Sequence, residues 1–395
     1  MSSARMTNLL AARYSDIRLS DIVLTGERHP ISTGTCAMPG SSLSGQLRSA
    51  ASQTAIIRRR IQSELPSHLF RPYPARALTA FAIAGAIVLA SSVIVFVPAL
   101  ASESVILSCL CGCLYASLFF LGHEAGHGTI LRSKAGQDLV MAMAFTPFLL
   151  SPTLWRVWHN KVHHAHPNCE ANDPDNFGTL STFIRFRSSR FIVNLTPGRR
   201  SLLGVFYLPI WFIVQAQAVL WIQSHRCSGF ESLNRQRAVA ESFCMVLFWI
   251  LLGLQLGPLL TLLVILIPIM VANTIIMSYI STNHLLRPLV KAPDILESSM
   301  SVTTYRWLDL IHFNFSHHVE HHFFPSMSSK YAPCVREKLR QYAKDRYLAP
   351  PHWTAFRMVF LTPRIHDEDG ALIDPKTNLR VPFDEITKAL RCRDA

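Results

Sequence analysis

Long uncharged apolar runs, separated by short polar or basic stretches, organise the chain from residue 77 onward. A bilayer crossing takes about 20 consecutive apolar residues. Residues 77–102 carry no charge and predict a first crossing that ends near Val97. Residues 104–122 are again uncharged and predict a second. Only a short link containing Glu103 lies between them, so the two form a tight hairpin. No charged residue occurs between Ser242 and Asn283, a stretch too long for one crossing. Gly257-Pro258 interrupts it and divides it into crossings at 238–256 and 259–280, the latter kinked at Pro268.

Two further apolar stretches do not read as simple crossings. Residues 139–154 are short and contain Pro147 and Pro152, which predicts a re-entrant or interfacial segment. Residues 201–224 are long enough to cross but carry Gln215, Gln217, Trp211 and Trp221. Charge resolves this segment. Arg199 and Arg200 precede it, and Arg226, Arg235 and Arg237 follow it. If it lies in the interface, every Lys and Arg stays on one side, as the positive-inside rule expects. The expected fold is therefore an all-α integral membrane protein. It has four transmembrane helices in two hairpins, interfacial helices between them, and both termini in the cytoplasm.

Composition agrees with this reading. Of 395 residues, 50% are hydrophobic and 16% charged, and the formal charge is +13. So few charges with such a basic excess mark cytoplasmic loops of a membrane protein and not a nucleic-acid groove. The nine cysteines include no C-x-x-C pair, so they read as reduced structural thiols and not as an iron–sulfur or zinc-ribbon set. The N-terminus has no apolar core of a secretory signal. Residues 1–74 read as a flexible cytosolic leader, with a transit peptide as the alternative. Residues 75–335 read as the membrane domain, and 336–395 as a cytoplasmic helix-and-loop cap and tail.

The chemistry lies in histidine. Eleven of the 17 histidines fall in the windows 123–127, 159–166 and 312–322. His123 and His127 have the i, i+4 spacing that places both rings on one helical face. His159 and His163 are spaced alike, with His164 beside them. His318, His321 and His322 are spaced so that three nitrogens can converge on one point. They are flanked by Phe313, Phe315, Phe323 and Phe324, and polar rings among aromatics need a partner. His284, just past the last crossing, is a ninth candidate. Neutral imidazole suits iron, copper, nickel and zinc. Eight histidines exceed what one ion takes, so two metals are implied, and neutral ligands beside a bilayer suggest redox chemistry with iron as first choice.

These three clusters resemble the boxes of the membrane-bound fatty acid desaturase family, H-[DE]-x-x-H, H-x(2–3)-H-H and H-x-x-H-H. Here they stand as His123…His127, His159…His163-His164 and His318…His321-His322. Asn168 and Asp173-Pro174-Asp175 resemble the continuation of the second box. The resemblance implies a non-haem di-iron centre held in a cytoplasmic cap, with O2 and two electrons as co-substrates. It also implies a further ligand after the fourth crossing, a position His284 matches. Some relatives use an Asn one helical turn earlier; Ile280 stands there in this chain, and Asn283 is adjacent to His284 instead. His166, His312 and His317 fall outside the matched positions and read as supporting or structural. Glu124, Asp175 and Glu320 are candidates to accept hydrogen bonds from ligand imidazoles.

The implied reaction removes two hydrogens from adjacent methylenes of a fatty acyl chain carried as lipid, acyl-carrier thioester or coenzyme A thioester. No haem module or ferredoxin Cys pattern is fused to the chain. A separate donor such as a ferredoxin or a b-type cytochrome is thus expected at the cytoplasmic face. The alternative on the same scaffold is a hydroxylase, acetylenase or decarboxylase. A membrane metal transporter or sensor is the alternative of a different class. It would require ionisable residues inside the crossings, which here hold almost none beyond Glu241 near one end.

Overall fold

In the computed structural model, residues 42–97, 101–170, 172–176, 178–198, 204–367 and 370–391 are described. The first 41 residues of the expected leader lie outside this set. The chain divides into two units, 1–45 and 46–395. Apart from the first turn of the helix that begins at Ser42, every described element belongs to the second unit.

The described chain is mostly helical. α1 (Ser42–Glu64) is followed by two long apolar helices, α2 (Ala75–Phe96) and α3 (Ala101–Gly126). They occupy the sites of the first two predicted crossings. α4 (Lys134–Phe145) and α5 (Pro152–Val157), extended by a π-helical turn over Trp158–His163, form a pair bent by 107°. Leu149, at φ 52°, lies in the bend. This is the segment expected to be re-entrant or interfacial. Short helices follow, among them α6 (Arg187–Leu195) and α7 (Trp211–Ala218). α8 (Arg235–Thr261) and α9 (Ile267–His284) complete the apolar part, with a π-helical turn between them.

Among the described residues, three stretches are long and apolar enough to cross a membrane: Ala75–Phe96, Ser102–Gly126 and Arg235–His284. The third is not one straight rod. Gly257 sits at φ 74°, ψ 173°, a conformation that only glycine adopts readily, and Pro258 follows it. Glu241 accepts hydrogen bonds from Ser151 Oγ (2.6 Å) and Thr153 N (3.0 Å), and the His284 ring lies 4.9 Å from that of His163. In a straight helix Glu241 and His284 would stand about 65 Å apart. Both ends meet the single short segment Ser151–His163, so the chain folds back at Gly257.

α3 is the central strut. It packs on α2, α4 and α9, and Gly112 sets the closest approach: a Cβ there would lie 2.6 Å from Val271 Cβ and 2.7 Å from Pro268 O. The outward faces of α2 and α8 are apolar and uncovered, with Leu78 and Leu254 more than 70% exposed. Such continuous apolar exposure suits a lipid solvent and not water.

The polar body is built from α10 (Arg306–Ile311), α11 (His318–Phe323), α12 (Ala332–Tyr342), α13 (His352–Leu361) and α14 (Phe383–Arg391). The boundary expected after residue 335 falls inside one hydrophobic cluster that joins Val319 and Phe323 of α11 to Val335 and Leu339 of α12, and also to Ile61 of α1. The all-α expectation is corrected in the tail, which holds a three-stranded antiparallel sheet: β1 (Ile365–His366), β2 (Ala371–Asp374) and β3 (Leu379–Pro382). Two turns make it. Gly370 takes φ 78°, and the Asp374 carboxylate accepts the Lys376 N–H at 3.0 Å while Asn378 takes φ 56°. The seven cysteines among the described residues are all unpaired.

Candidate metal centre

Each predicted histidine is placed by a helix end or a helix irregularity. His123 and His127 stand on the last turn of α3 and its exit, on one face. The second box departs from the expected geometry. His164 N–H donates to His159 O at 3.0 Å, an i→i+5 bond that marks the π turn. One added residue per turn rotates the following side chains, and such turns are common at functional sites. His159 and His164 therefore point into one group of rings, and His163 into another, whereas α-helical spacing had paired His159 with His163. The third box divides in the same way. On α11, His318 and His322 share a face through i, i+4 spacing, and His321 faces elsewhere, so the three do not converge on one point. His284 is the last residue of α9.

Two groups result. His123, His127, His159, His164 and His321 bring their ligand nitrogens within 4.8 Å of one another. So do His163, His284, His318 and His322. All nine candidate ligands are thus gathered. The groups are immediate neighbours: the His164 and His322 rings stack at 4.3 Å.

The donor sets fit cations. In the larger group, Nε2 atoms face one another from His123 to His159 (2.9 Å), His159 to His164 (3.1 Å) and His164 to His321 (3.1 Å). The smaller group pairs Nε2 of His318 with His284 (2.7 Å) and with His322 (3.0 Å). A neutral ring nitrogen offers one hydrogen or one lone pair, so such chains cannot be satisfied by N–H···N bonds alone. His127 Nε2 is buried with no hydrogen-bond partner among the described residues. Nitrogens about 2.0–2.1 Å from a shared ion, at angles of about 90–110°, lie about 2.8–3.4 Å apart, close to the observed spacing. Burial holds eight of the nine rings in the neutral ligand form, pushing the His321 imidazole down to about 3. His163 is the exception: burial works against its charge, but the Asp173 and Asp175 carboxylates beside it raise it to about 9.

Carboxylates orient one of the rings. His163 Nδ1 lies 3.0 Å from Asp173 and 3.2 Å from Asp175, which turns Nε2 inward. Asp173 also accepts the backbone N–H groups of Asn168 (2.6 Å) and Asp175 (3.0 Å). Asp175 accepts from Trp158 Nε1 (2.9 Å) and Gln215 Nε2 (2.8 Å), and burial pushes its carboxyl up to about 7. Backbone plays the same part at His284, whose Nδ1 lies 3.2 Å from Ser298 O.

The family description "Fatty acid desaturase" matches residues 101–354, more than half of the chain. The chain belongs to the fatty acid desaturase family. Among curated proteins, it is 23% identical to the chloroplastic omega-6 fatty acid desaturase of Spinacia oleracea over 276 residues, 66% of this chain and 58% of that protein. It is 20% identical to the chloroplastic omega-6 fatty acid desaturase of Arabidopsis thaliana over 296 residues, 70% of this chain and 60% of that protein. A 55-residue stretch is 38% identical to the sn-1 acyl-lipid omega-3 desaturase (ferredoxin) of Synechocystis sp., covering 14% of this chain and 15% of that protein. The chain spans somewhat under two thirds of the two omega-6 relatives.

Two acidic residues of this desaturase-family chain are not where the sequence placed them. Glu124 turns away from the imidazoles. It pairs with Arg76 and accepts from Ser328 (3.0 Å) and Ser329, tying α3 to α2 and to the turn before α12. Glu320 pairs with Arg336 (2.7 Å) and accepts from Ser301 and Tyr347. The sequence named Asp175 but passed over Asp173, two residues earlier in the same Asp-Pro-Asp motif and more deeply buried. His166 is half-buried and His317 bonds Ser316, and neither joins a ring group. His312 bonds Tyr279 OH at 2.9 Å. Asn283 is buried with no partner for its amide among the described residues. Replacing Asp173 by Asn keeps size but removes the anionic acceptor. Metal affinity should fall about 10–100-fold, as read by competition with a chelator.

Proposed function

We propose that the chain is a membrane-embedded, O2-dependent fatty acyl desaturase with a di-iron centre. The two neighbouring groups of imidazoles, nine rings from four separate stretches of the chain, carry this reading. His123, His127, His159, His164 and His321 would hold one iron, and His163, His284, His318 and His322 the other. When bound, the irons would supply the oxidising power to break unactivated C–H bonds, which no side chain here possesses.

The chain's own residues do the rest. A narrow apolar cleft lies against both ring groups, walled by Phe119, Trp155, Trp158, Phe212, Ile280 and Phe315. It would bind an acyl tail and hold adjacent methylenes in place. Asp173 and Asp175 fix the His163 ring. Four membrane crossings, α2, α3, α8 and α9, would put the histidines and both termini on the cytoplasmic side. The exposed apolar side chains Trp307 and Leu310 of α10 and Phe191 of α6, near Arg306, Arg187 and Arg190, suit helices lying in the interface. Electrons would come from a separate donor at the basic cytoplasmic face. The ferredoxin named for the Synechocystis relative makes an acidic ferredoxin the first choice.

The test is expression with a ferredoxin and its reductase, followed by mass spectrometry of host lipids fed labelled acyl chains. An acyl product two hydrogens lighter is expected. A product one oxygen heavier instead would assign a hydroxylase on the same scaffold.

A further inference from the structure

Among the described residues, more than one cleft reaches the histidine groups. The apolar cleft walled by Trp155 and Trp158 touches His123 and His159 of the larger group and His163, His284 and His318 of the smaller. A second cleft touches His123, His321 and His318. Apart from the candidate ligands, it is lined by Phe120, Phe313 and Phe315 and by four polar side chains, Glu124, Asn314, His317 and Ser329, against two polar side chains in the first cleft. The apolar cleft has, besides ligands, only Asp175 and Gln215 as polar lining, and these bond each other. The clefts share three side chains: His123, His318 and Phe315. Phe315 is the one that is not a candidate ligand.

Its surroundings make it a wall. The Phe315 ring stacks on Phe120 at 4.3 Å and meets His123 at 5.3 Å and Tyr279 at 5.7 Å. Phe119 and Phe120 are consecutive on α3, about 100° apart around the helix, and one lines each cleft. The turn that delivers Phe315 is strained. Phe313 (φ 52°) and Asn314 (φ 59°) both lie in the left-handed region, which Asn enters readily and a bulky residue such as Phe313 does not. Asn314 holds the turn by donating to Asp309 O from its backbone (2.8 Å) and to Ser329 O from its side chain (3.0 Å).

We propose that Phe315 partitions the centre into a dry side for the acyl chain and a wet side for water and protons. This deepens the desaturase reading and rests on it. Each double bond formed breaks two C–H bonds and reduces one dioxygen to two waters. Two of the electrons come from the carbon pair and two from the donor protein, and two protons are taken up. A site for this reaction needs an exit for water and an inlet for protons. Water reaching the acyl side would let the oxidant be spent on donor electrons without product.

Hydroxyl-radical footprinting read by mass spectrometry tests the partition directly, without relying on turnover. In the wild-type protein in lipid bilayers, Phe313 and His317 should oxidise and Trp155 and Trp158 should stay protected. In Phe315→Ala with unchanged metal content, oxidation of Trp155 and Trp158 should rise several-fold. Electrons consumed per double bond should rise as well. Equal oxidation of both sides in the wild type overturns the proposal. So does a Phe315→Ala variant whose tryptophans stay protected, including one that only shifts the double-bond position, which would make Phe315 a stop for the acyl tail. A wild-type protein with no desaturase activity would refute the functional reading and leave the footprinting result standing.

Discussion

His318→Ala should reduce desaturation to the host background while the protein still inserts in the membrane. His318 is central to the smaller ring group: its Nε2 faces both His284 (2.7 Å) and His322 (3.0 Å). Removing it leaves three rings, and the two it linked lose their shared partner. The larger group contains none of these rings. Elemental analysis should therefore find about one iron lost per chain, not both. His321→Ala should weaken only the ion of the other group, and by less, because that group keeps four rings; His321 and His322 serve different groups despite being adjacent. If the third box instead fed a single ion, the two variants would lose the same metal. Neither change touches the apolar helices, so yield in the membrane fraction and resistance to alkaline extraction should match the wild type.

That distinction lay beyond the sequence, and the reason is physical. Apolar runs, the break at Gly257-Pro258 and the three histidine windows depend on composition and local stereochemistry, and all can be read from the chain. Which ring joins which group depends on helical phase. The π turn over Trp158–His163 adds a residue to one turn, and no pattern of apolar positions announces it. The orientation of carboxylates is equally non-local. Glu124 adjoins His123 in sequence yet serves Arg76, and Glu320 lies between His318 and His321 yet serves Arg336. Sequence proximity makes both of them candidate partners of imidazoles, and the fold gives both an arginine instead. Asp173 was passed over although it is the buried member of its motif, since burial is not visible from the chain. The tail sheet was missed because strands of two to four residues carry too little alternation to be read.

Arg336→Ala should be the most destabilising single change outside the histidines. Glu320 is fully buried, and Arg336 nearly so. Burial works against the charge on Glu320, but the Arg336 guanidinium beside it, with the Ser301 hydroxyl, keeps its pKa lowered. Arg336 also donates to the carbonyls of Val302 (3.0 Å) and Ser316 (3.2 Å). The pair thus joins α11, which carries three of the nine rings, to α12 and to the extended segment before α10. Removing the cation leaves a buried carboxylate facing only neutral donors, at a cost of about 3–5 kcal/mol. Replacing both partners at once, Glu320→Gln with Arg336→Met, removes the unpaired charge and should recover much of that loss. The comparison is made on the thermal midpoint of the purified protein, with metal content read alongside. Recovery of stability in the double variant together with its iron would place the effect in the buried charge. A double variant as unstable as Arg336→Ala would place it in the lost carbonyl bonds instead.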